Sequence, residues 1–488
     1  MQLYPYQEKA KRNIYNSFRS GKQSVMLQLP TGGGKTVIFS SIINDGVKSN
    51  RRVLLLAHRS ELIQQAYDKL HKGFGIKSGI IKANHPTDTF NSVQIASVPT
   101  LVNRNLVKAP DIVIIDEAHH DQQDNSYGKI RNKVLELNPN AKFLGVTATP
   151  CRTNGSGFAG IYDELIQAAQ MSELIRDSFL VQPKYFVAPI ELGKIKTTGG
   201  DYNLKELSEV YQRKVQAEDL VRNWIEIAEH RQTIGFAVDV AHSKSIVNAY
   251  QKAGIRAAHV DGTTPEHIRK STVYDFAEKR IQVLYNVSVF TEGYDCPGIE
   301  AEQLARPTKS LSLYLQMVGR ALRAAKGKMG ALILDHAGLV AEHDLAEIDR
   351  IWTLEGVKKA NPNRVLVYED TQTGRQYALN QLPLDMPMNR IRLVEYVRTP
   401  QFIKSANNLK AIDEINKLIY IQKSRNLSSN WVWHRLTSKI EKTDKIETKE
   451  NLEFLADLFV TKYSFKTGYK YVLIKNFLEI NFPEKQNV

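Results

Sequence analysis

Two kinds of block alternate along this chain. Runs of four to six aliphatic or β-branched residues at 24–29, 53–57, 93–97, 111–115 and 143–146 have the length and content of buried strands. A second series follows at 233–238, 257–260, 281–285 and 331–334. Longer amphipathic stretches of helical period separate them. Strands alternating with helices predict parallel sheets covered on both faces, and two series predict two α/β domains. The segment 183–201, with Pro183 and Thr197-Thr-Gly-Gly200, reads as the connection between them. The domain reading is 1–185, a linker 186–210, 211–350, and a mainly helical accessory domain 351–488. No strand-splitting hairpin is evident in the pattern.

Composition narrows the class. The chain has 488 residues, 42% hydrophobic and 24% charged, enough for ordinary globular cores. Its formal net charge of +14 suits a polyanionic partner. Two cysteines, Cys151 and Cys296, are too few for a zinc site or a disulfide framework, so they read as packing residues and no zinc is expected. The first residues carry no signal-peptide pattern, and no stretch approaches the ~18–20 apolar residues of a membrane span. A cytoplasmic protein that does not engage a membrane is expected.

Charge and aromatics are uneven. From Gly356 onward about 22 Lys and Arg face 14 Asp and Glu. Trp431, Trp433, Tyr463, Phe465, Tyr469 and Tyr471 are interleaved among them. Basic plus aromatic suits single strands, which stack and are screened. The alternative is a helical domain with an aromatic core and solvated lysines.

Two segments carry chemistry. Pro30-Thr31-Gly32-Gly33-Gly34-Lys35-Thr36 lies between a predicted strand and a predicted helix at 37–44, which is the context of a phosphate-binding loop. Glycines let backbone N–H groups curl around phosphate oxygens, Lys35 is placed for the β- and γ-phosphates, and Thr36 for Mg²⁺. The strict pattern opens with Gly, and here that place is Leu29. Downstream, an apolar strand ends in Asp116-Glu117-Ala118-His119. Acids at a strand's C-terminal edge sit where an α/β sheet binds ligands. Asp116 suits Mg²⁺ and Glu117 suits polarising an attacking water, the division of labour that phosphoryl transfer needs. His120 beside His119 reads as a surface residue.

With these residues in hand, the chain resembles the DEAD/DEAH-box superfamily 2 helicases, and further segments fit that family in order. Leu3-Tyr-Pro-Tyr-Gln7 resembles the adenine-reading motif, with Gln7 as the adenine partner. Ala57-His-Arg59-Ser-Glu-Leu62 and Ala96-Ser-Val-Pro-Thr100-Leu101 resemble strand-contact motifs, and Val146-Thr147-Ala-Thr149-Pro150 resembles the motif that couples hydrolysis to domain movement. Phe290-Thr291-Glu-Gly293-Tyr-Asp295 resembles motif V, and Gln316-Met-Val-Gly319-Arg320-Ala-Leu-Arg323 motif VI. The resemblance spans about residues 1–340. It implies two RecA-like domains in tandem with ATP and Mg²⁺ between them. The catalytic set would be Lys35, Glu117, Gln316, Arg320 and Arg323. Nucleotide contacts would come from Gln7, Thr31–Thr36, Gly293 and Asp295, and metal contacts from Thr36 and Asp116. Coupling would fall to His119, Thr147 and Thr149, and nucleic-acid contact to Arg59, Thr100 and Thr291. Gln316, Arg320 and Arg323 fall at i, i+4 and i+7, on one face of a helix. The basic glycine turn 324–330 is a further strand-contact candidate.

Arg306-Pro-Thr-Lys309-Ser310, Leu334-Asp-His336-Ala-Gly338 and Ser172-Glu-Leu-Ile175 resemble the bacterial RadD-type helicases and phage-encoded relatives, with XPB-like proteins as wider kin. That kinship favours DNA over RNA, a bacterial or phage-infected cell, and replication or repair partners. The cysteine cluster usual in RadD-type C-termini is missing here. An RNA helicase, the motor of a restriction system and an ATP-switched nucleic-acid clamp remain as alternatives.

Overall fold

The computed structural model describes residues 3–398 except 59, 84, 87, 154, 189, 229–230, 291–295, 297, 359–363, 379–385 and 389–390. Two compact units divide it, Met1–Ala360 and Asn361–Val488.

The first unit contains two parallel sheets. One has seven strands in the order β3-β4-β2-β5-β6-β1-β7. They are β1 (Ser24–Gln28), β2 (Val53–Ala57), β3 (Gly79–Ile81), β4 (Val93–Ser97), β5 (Ile112–Asp116), β6 (Lys142–Thr147) and β7 (Glu164–Gln167). Helices α1 (Pro5–Arg19), α2 (Lys35–Lys48), α3 (Ser60–Phe74), α4 (Val98–Leu101), α5 (Ser126–Leu137) and α6 (Met171–Arg176) belong with it. Every residue of β1 and β2 is buried, which is why these strands read as continuous apolar runs rather than alternating ones.

The second sheet has the order β12-β13-β11-β14-β15-β8. Its strands are β8 (Pro183–Val187), β11 (Thr233–Ala237), β12 (Ala257–Val260), β13 (Val283–Asn286), β14 (Ala301–Ala305) and β15 (Ala331–Asp335). The helices are α7 (Leu204–Lys214), α8 (Ala217–Ala228), α9 (Val240–Lys252), α10 (Glu266–Ala277), α11 (Leu311–Ala321) and α12 (Leu339–His343). The chain thus enters the second sheet at Pro183, in the stretch expected to end the first domain and open the linker. Residues 197–202, inside that expected linker, form a small antiparallel hairpin of β9 (Thr197–Thr198) and β10 (Asp201–Tyr202).

β14, Ala301-Glu-Gln-Leu-Ala305, has no apolar run, yet it is a fully buried inner strand. Gln303 explains how a polar residue is tolerated there. Its Oε1 accepts from the Tyr250 and Tyr285 hydroxyls at 2.7 and 2.5 Å. Its Nε2 donates to the Leu220 carbonyl at 2.8 Å and lies 3.1 Å from His336 Nε2. A buried amide with all its partners present is compatible with a core.

After α12 the chain returns to the first sheet. Arg350 exchanges hydrogen bonds with Gln170, and Ser172 Oγ donates to Asp349 at 2.5 Å. β16 (Ile351–Thr353) and β17 (Gly356–Lys358) pair antiparallel, and their turn docks on the loop after β6. There Gly157 N donates to the Glu355 carbonyl, and Phe158 N and Ala159 N both donate to that of Leu354. The segment 343–358 is therefore a strap from the second lobe to the first.

The mainly helical character expected of 351–488 is not found in its described part. β16 and β17 are followed in the second unit by β18 (Arg364–Asp370), β19 (Gln376–Ala378) and β20 (Ile391–Arg398), a three-stranded antiparallel sheet. The basic, aromatic stretch around Trp431 and Tyr469 lies outside the described residues. Among the described residues no helix is long and apolar enough to cross a membrane.

Candidate functional site

The phosphate loop follows β1, and α2 begins at Lys35. Gly32 and Gly34 both sit at φ +86°, the left-handed region where a side chain is strained. Space forbids one as well. A Cβ on Gly34 would lie 2.5 Å from Gln7 Nε2, and one on Gly32 would lie 2.7 Å from a Leu180 methyl. Gly33 points its carbonyl away, accepting from the Tyr6 hydroxyl at 2.7 Å and from Gln7 Nε2 at 3.2 Å. Gln7 Oε1 in turn accepts from the Tyr4 N–H at 3.0 Å, at the start of α1. The side chain expected to read adenine is thus fixed against the loop expected to hold phosphates.

Around that loop lies a cleft of about 320 Å³. The first lobe contributes Thr31, Lys35, Thr36, Asp116 and Glu117, and the second contributes Arg320 and Arg323. Asp116 ends β5, and Glu117 is held at φ +49°, a conformation rare for a residue with a side chain. Burial draws the Lys35 ammonium below its usual range. The carboxylates of Glu117 and Asp116 oppose that shift, while Arg320 and Arg323 add to it. Both carboxylates and both guanidiniums therefore sit within electrostatic reach of Lys35.

The two lobes meet closely here. Gly319 packs on Thr31, and a Cβ at Gly319 would fall 2.4 Å from Thr31 Cβ. Arg320 is buried at the last turn of α11, and burial raises the nearby Glu302 carboxyl on β14 well above the usual range against the pull of Arg320. Gln316 is buried and does not line the cleft. Arg323 departs from the expected helical face, because α11 ends at Ala321. The chain beyond it instead bridges Leu180 through Arg323, with Val181 N donating to the Leu322 carbonyl. Lys328 closes the helix end, donating to the Ala321 and Arg323 carbonyls at 2.5 and 2.8 Å. Burial draws its ammonium down to about 8. The basic turn 324–330 thus uses one of its two lysines, Lys328, inwardly.

A chain of polar contacts runs from the carboxylate edge to α11, hydrogen-bonded from His119 onward. His119 Nδ1 lies 3.3 Å from Glu117 Oε2 and 3.2 Å from Thr147 Oγ1. Thr149 N donates to Thr147 Oγ1 at 3.1 Å, and Thr149 Oγ1 lies 2.6 Å from Ser312 Oγ in the second lobe. Ser312 was not foreseen, since nothing in its local sequence marks it. Neither was Phe179, which lines the cleft and packs against Tyr4 and Tyr6 at centroid distances of 4.5 and 5.1 Å. An aromatic one residue before a strand-like stretch gives no signal by itself.

The remaining expected residues divide. Thr100 lies in α4 and is half-buried. Arg59, Thr291, Gly293 and Asp295 lie outside the described residues. Whether nucleotide and metal suit the cleft can be judged from its lining. The glycine turn leaves room where side chains would intrude, a lysine and two arginines offer positive charge, and the Thr36 hydroxyl and Asp116 carboxylate are hard oxygen donors of the kind Mg²⁺ takes. The residues fit both.

Known proteins agree with this picture. Residues 1–152 match the family described as type III restriction enzyme, res subunit, and residues 216–325 match the helicase conserved C-terminal domain. A 51.5 kDa protein of a Lactococcus phage (isolate 7-9) is 32% identical over 362 residues, covering 73% of this chain and 76% of its own. IRC3 of Saccharomyces cerevisiae, whose name assigns it to the ATP-dependent helicases, is 33% identical over 69% of this chain. The match spans about half of the yeast protein, 51% of its length. Among solved structures, the type ISP restriction-modification enzyme LlaBIII bound to DNA superposes with a TM-score of 0.51 at 18% identity, covering 68% of this chain and 27% of that one. With two parallel sheets facing one phosphate-loop cleft and both helicase regions matched in order, this chain belongs to the superfamily 2 helicases.

Proposed function

We propose that this chain is an ATP-driven motor on DNA, in which closure of two RecA-like lobes assembles the hydrolytic site. One observation carries the reading: Lys35, Asp116 and Glu117 of one lobe line the same cleft as Arg320 and Arg323 of the other. Tyr4, Gln7 and Phe179 would hold the adenine, and the Thr31–Thr36 loop the phosphates. Thr36 and Asp116 would hold Mg²⁺, which when bound neutralises charge on the phosphate oxygens. Glu117 would accept the proton of the attacking water. Arg320 and Arg323 would spread positive charge over the γ-phosphate, an effect worth ~10³–10⁵ in rate. Because these arginines come from the opposite lobe, hydrolysis would require closure, and product release would permit opening. His119, Thr147, Thr149 and Ser312 would pass the state of the cleft to α11. Arg59, Thr100, Thr291 and the neighbours Gly293 and Asp295 are assigned to strand and nucleotide contact in the same reading.

DNA is favoured because the matched family and the superposed enzyme are named for restriction systems, and the superposed enzyme is bound to DNA. Kinship with RadD-type proteins and a role in replication, recombination or repair extend the proposal. The restriction family match also favours a second reading, a motor subunit that works beside a separate nuclease.

The test is ATP turnover by the wild type and Lys35→Ala with no nucleic acid, single-stranded DNA, duplex DNA, forked DNA and RNA. Strong stimulation by DNA that Lys35→Ala abolishes supports the proposal. Stimulation by RNA alone would redirect it to RNA remodelling. Turnover indifferent to every nucleic acid would overturn it.

A further inference from the structure

Outside the cleft, the element with the least evident structural purpose is the hairpin 197–202. Each strand has two residues, paired Thr197 with Tyr202 and Thr198 with Asp201. Gly199 and Gly200 at the tip sit at φ +62° and +88°, and a Cβ on Gly199 would meet nothing within 4 Å. Two successive positive φ values are what a tight hairpin turn of matching twist requires, and Gly-Gly supplies them. So short a hairpin is not stable alone. This one is held at its base.

The Asp201 carboxylate accepts from Thr308 Oγ1 at 2.5 Å, from Lys309 N at 2.7 Å and from Tyr202 N at 2.8 Å. Lys309 Nζ also lies 5.1 Å from the centre of the Tyr202 ring. Thr308 Oγ1 then accepts from Ser310 N at 3.0 Å, and Ser310 Oγ caps α11 by accepting from Leu313 N. The hairpin is therefore bonded to the N-terminus of the helix that carries Gln316 and Arg320. Two residues before Thr308, Arg306 Nη1 donates to Ser288 Oγ at 2.7 Å, just ahead of the segment that resembles motif V. Ser288 and Arg306 follow the C-terminal ends of β13 and β14, the sheet edge where α/β folds bind their ligands.

The chemistry of the tip is specific in what it offers. Thr197, Thr198, Gly199 and Gly200 are exposed, with no aromatic or branched apolar side chain to insert between bases. Lys194, Lys196 and Lys309 are exposed around it, and none of them makes an ion pair among the described residues. Two acids at the base are engaged otherwise: Asp201 as above, and Glu206 by accepting from Lys196 N at 3.0 Å. Ammonium groups, threonine hydroxyls and open backbone N–H groups are the donors that contact phosphate without reading sequence.

We propose that the hairpin 197–202, with Lys194, Lys196 and Lys309, is a phosphate-contacting pin of the second lobe, latched to α11 by Asp201 so that it moves with the arginines of the cleft. The pin rests on the reading of the chain as a nucleic-acid motor, and it adds a strand contact beyond Arg59, Thr100 and Thr291.

The test uses the full chain. Binding of a fluorescein-labelled single-stranded DNA is titrated at several salt concentrations for the wild type and for Lys194→Glu/Lys196→Glu, with the thermal midpoint as the check on folding. The variant is expected to bind at least tenfold more weakly. Its slope of log K against log salt should be shallower by about 1 to 1.5, at ~0.7 per phosphate contact on a single strand. Independently, Thr198→Cys carrying a photoactivatable group should crosslink to the bound strand, the two native cysteines being buried. Unchanged affinity and slope in the charge-reversed variant, with no crosslink at Thr198, would overturn the pin while leaving the motor reading intact. Lost strand displacement with unchanged affinity and slope would also overturn it, in favour of a wedge. A wild type that neither binds nor responds to nucleic acid would fail the underlying reading instead.

Discussion

Thr149 Oγ1 and Ser312 Oγ stand 2.6 Å apart, one in the loop after β6 and the other in the first turn of α11. They are the last link of a chain that begins at Glu117, and their bond is where the first lobe reaches the helix of Gln316 and Arg320. Both residues are buried, so the bond is shielded from water. Removing one hydroxyl strands the other. The expected result is that Thr149→Val and Ser312→Ala each lower DNA-stimulated kcat about tenfold with little change in ATP affinity. The double variant should fall no further than either single one. Residues acting as one unit show coupling energies of ~0.5–3 kcal/mol, and a double-mutant cycle on kcat measures it. Strictly additive losses would mean that the contact only packs.

Gly319 offers a sharper separation of stability from activity. Alanine is better than glycine in a helix by ~0.8–1.0 kcal/mol, so Gly319→Ala should leave the second lobe at least as stable as before. The added methyl, however, would fall 2.4 Å from Thr31 Cβ and hold α11 away from the phosphate loop. An undiminished thermal midpoint together with a loss of turnover of at least tenfold is the expected pair of results. A variant with full turnover would show that the lobes need not approach this closely to hydrolyse ATP.

How much of this was legible in the sequence follows from what each residue does locally. β1, β2, β11 and β15 are buried along their whole length, so each shows as a mainly apolar run. β14 hides because Gln303 is satisfied by Tyr250, Tyr285, Leu220 and His336, residues 18 to 83 positions away that no local window contains. The phosphate loop and Asp116-Glu117 were readable because their chemistry depends on neighbours in the chain. Ser312 and Phe179 were not, since each gains its place only when the lobes or the α1 aromatics come together. Arg323 was placed on a helical face by spacing alone, whereas its pairing with Leu180 ends the helix first. The hairpin 197–202 looked like a linker because two glycines and two threonines signal a turn but not the latch beneath it.

The strap depends on Arg350. Its guanidinium is buried and donates to four backbone carbonyls, those of Ala346 and Ile348 through Nη1 and of His343 and Leu345 through Nη2. Methionine fills similar space but leaves those carbonyls short of donors, and each buried polar group so stranded costs ~1–3 kcal/mol. Arg350→Met is expected to lose at least about 3 kcal/mol and to lower the thermal midpoint by several degrees. It should also free the strap, seen as faster amide exchange at Gly157, Phe158 and Ala159, whose N–H groups are bonded to it. Unchanged exchange at those three amides would show that the strap is held without the guanidinium.

Two buried histidines are expected to weaken the second lobe in acid. Burial holds the His242 imidazole down to about 4 and that of His336 to about 3, against ~6.5 in an unfolded chain. Asp239 pulls His242 the other way but does not overcome burial. Between pH 6.5 and 4 the unfolded chain therefore binds protons that the folded lobe refuses. Stability is complete above about pH 6.5 and falls with pH through that window, by up to ~1.4 kcal/mol per unit for each histidine. His336 has a second reason to stay neutral, because its Nε2 faces the Gln303 amide nitrogen at 3.1 Å and must accept there. Protonation would set two donors against each other beneath β14. The thermal midpoint is expected to drop steeply from pH 7 to 5 in the wild type. In His242→Gln the drop should be shallower, with one titrating group removed. A midpoint equally steep in wild type and variant would place the acid sensitivity elsewhere.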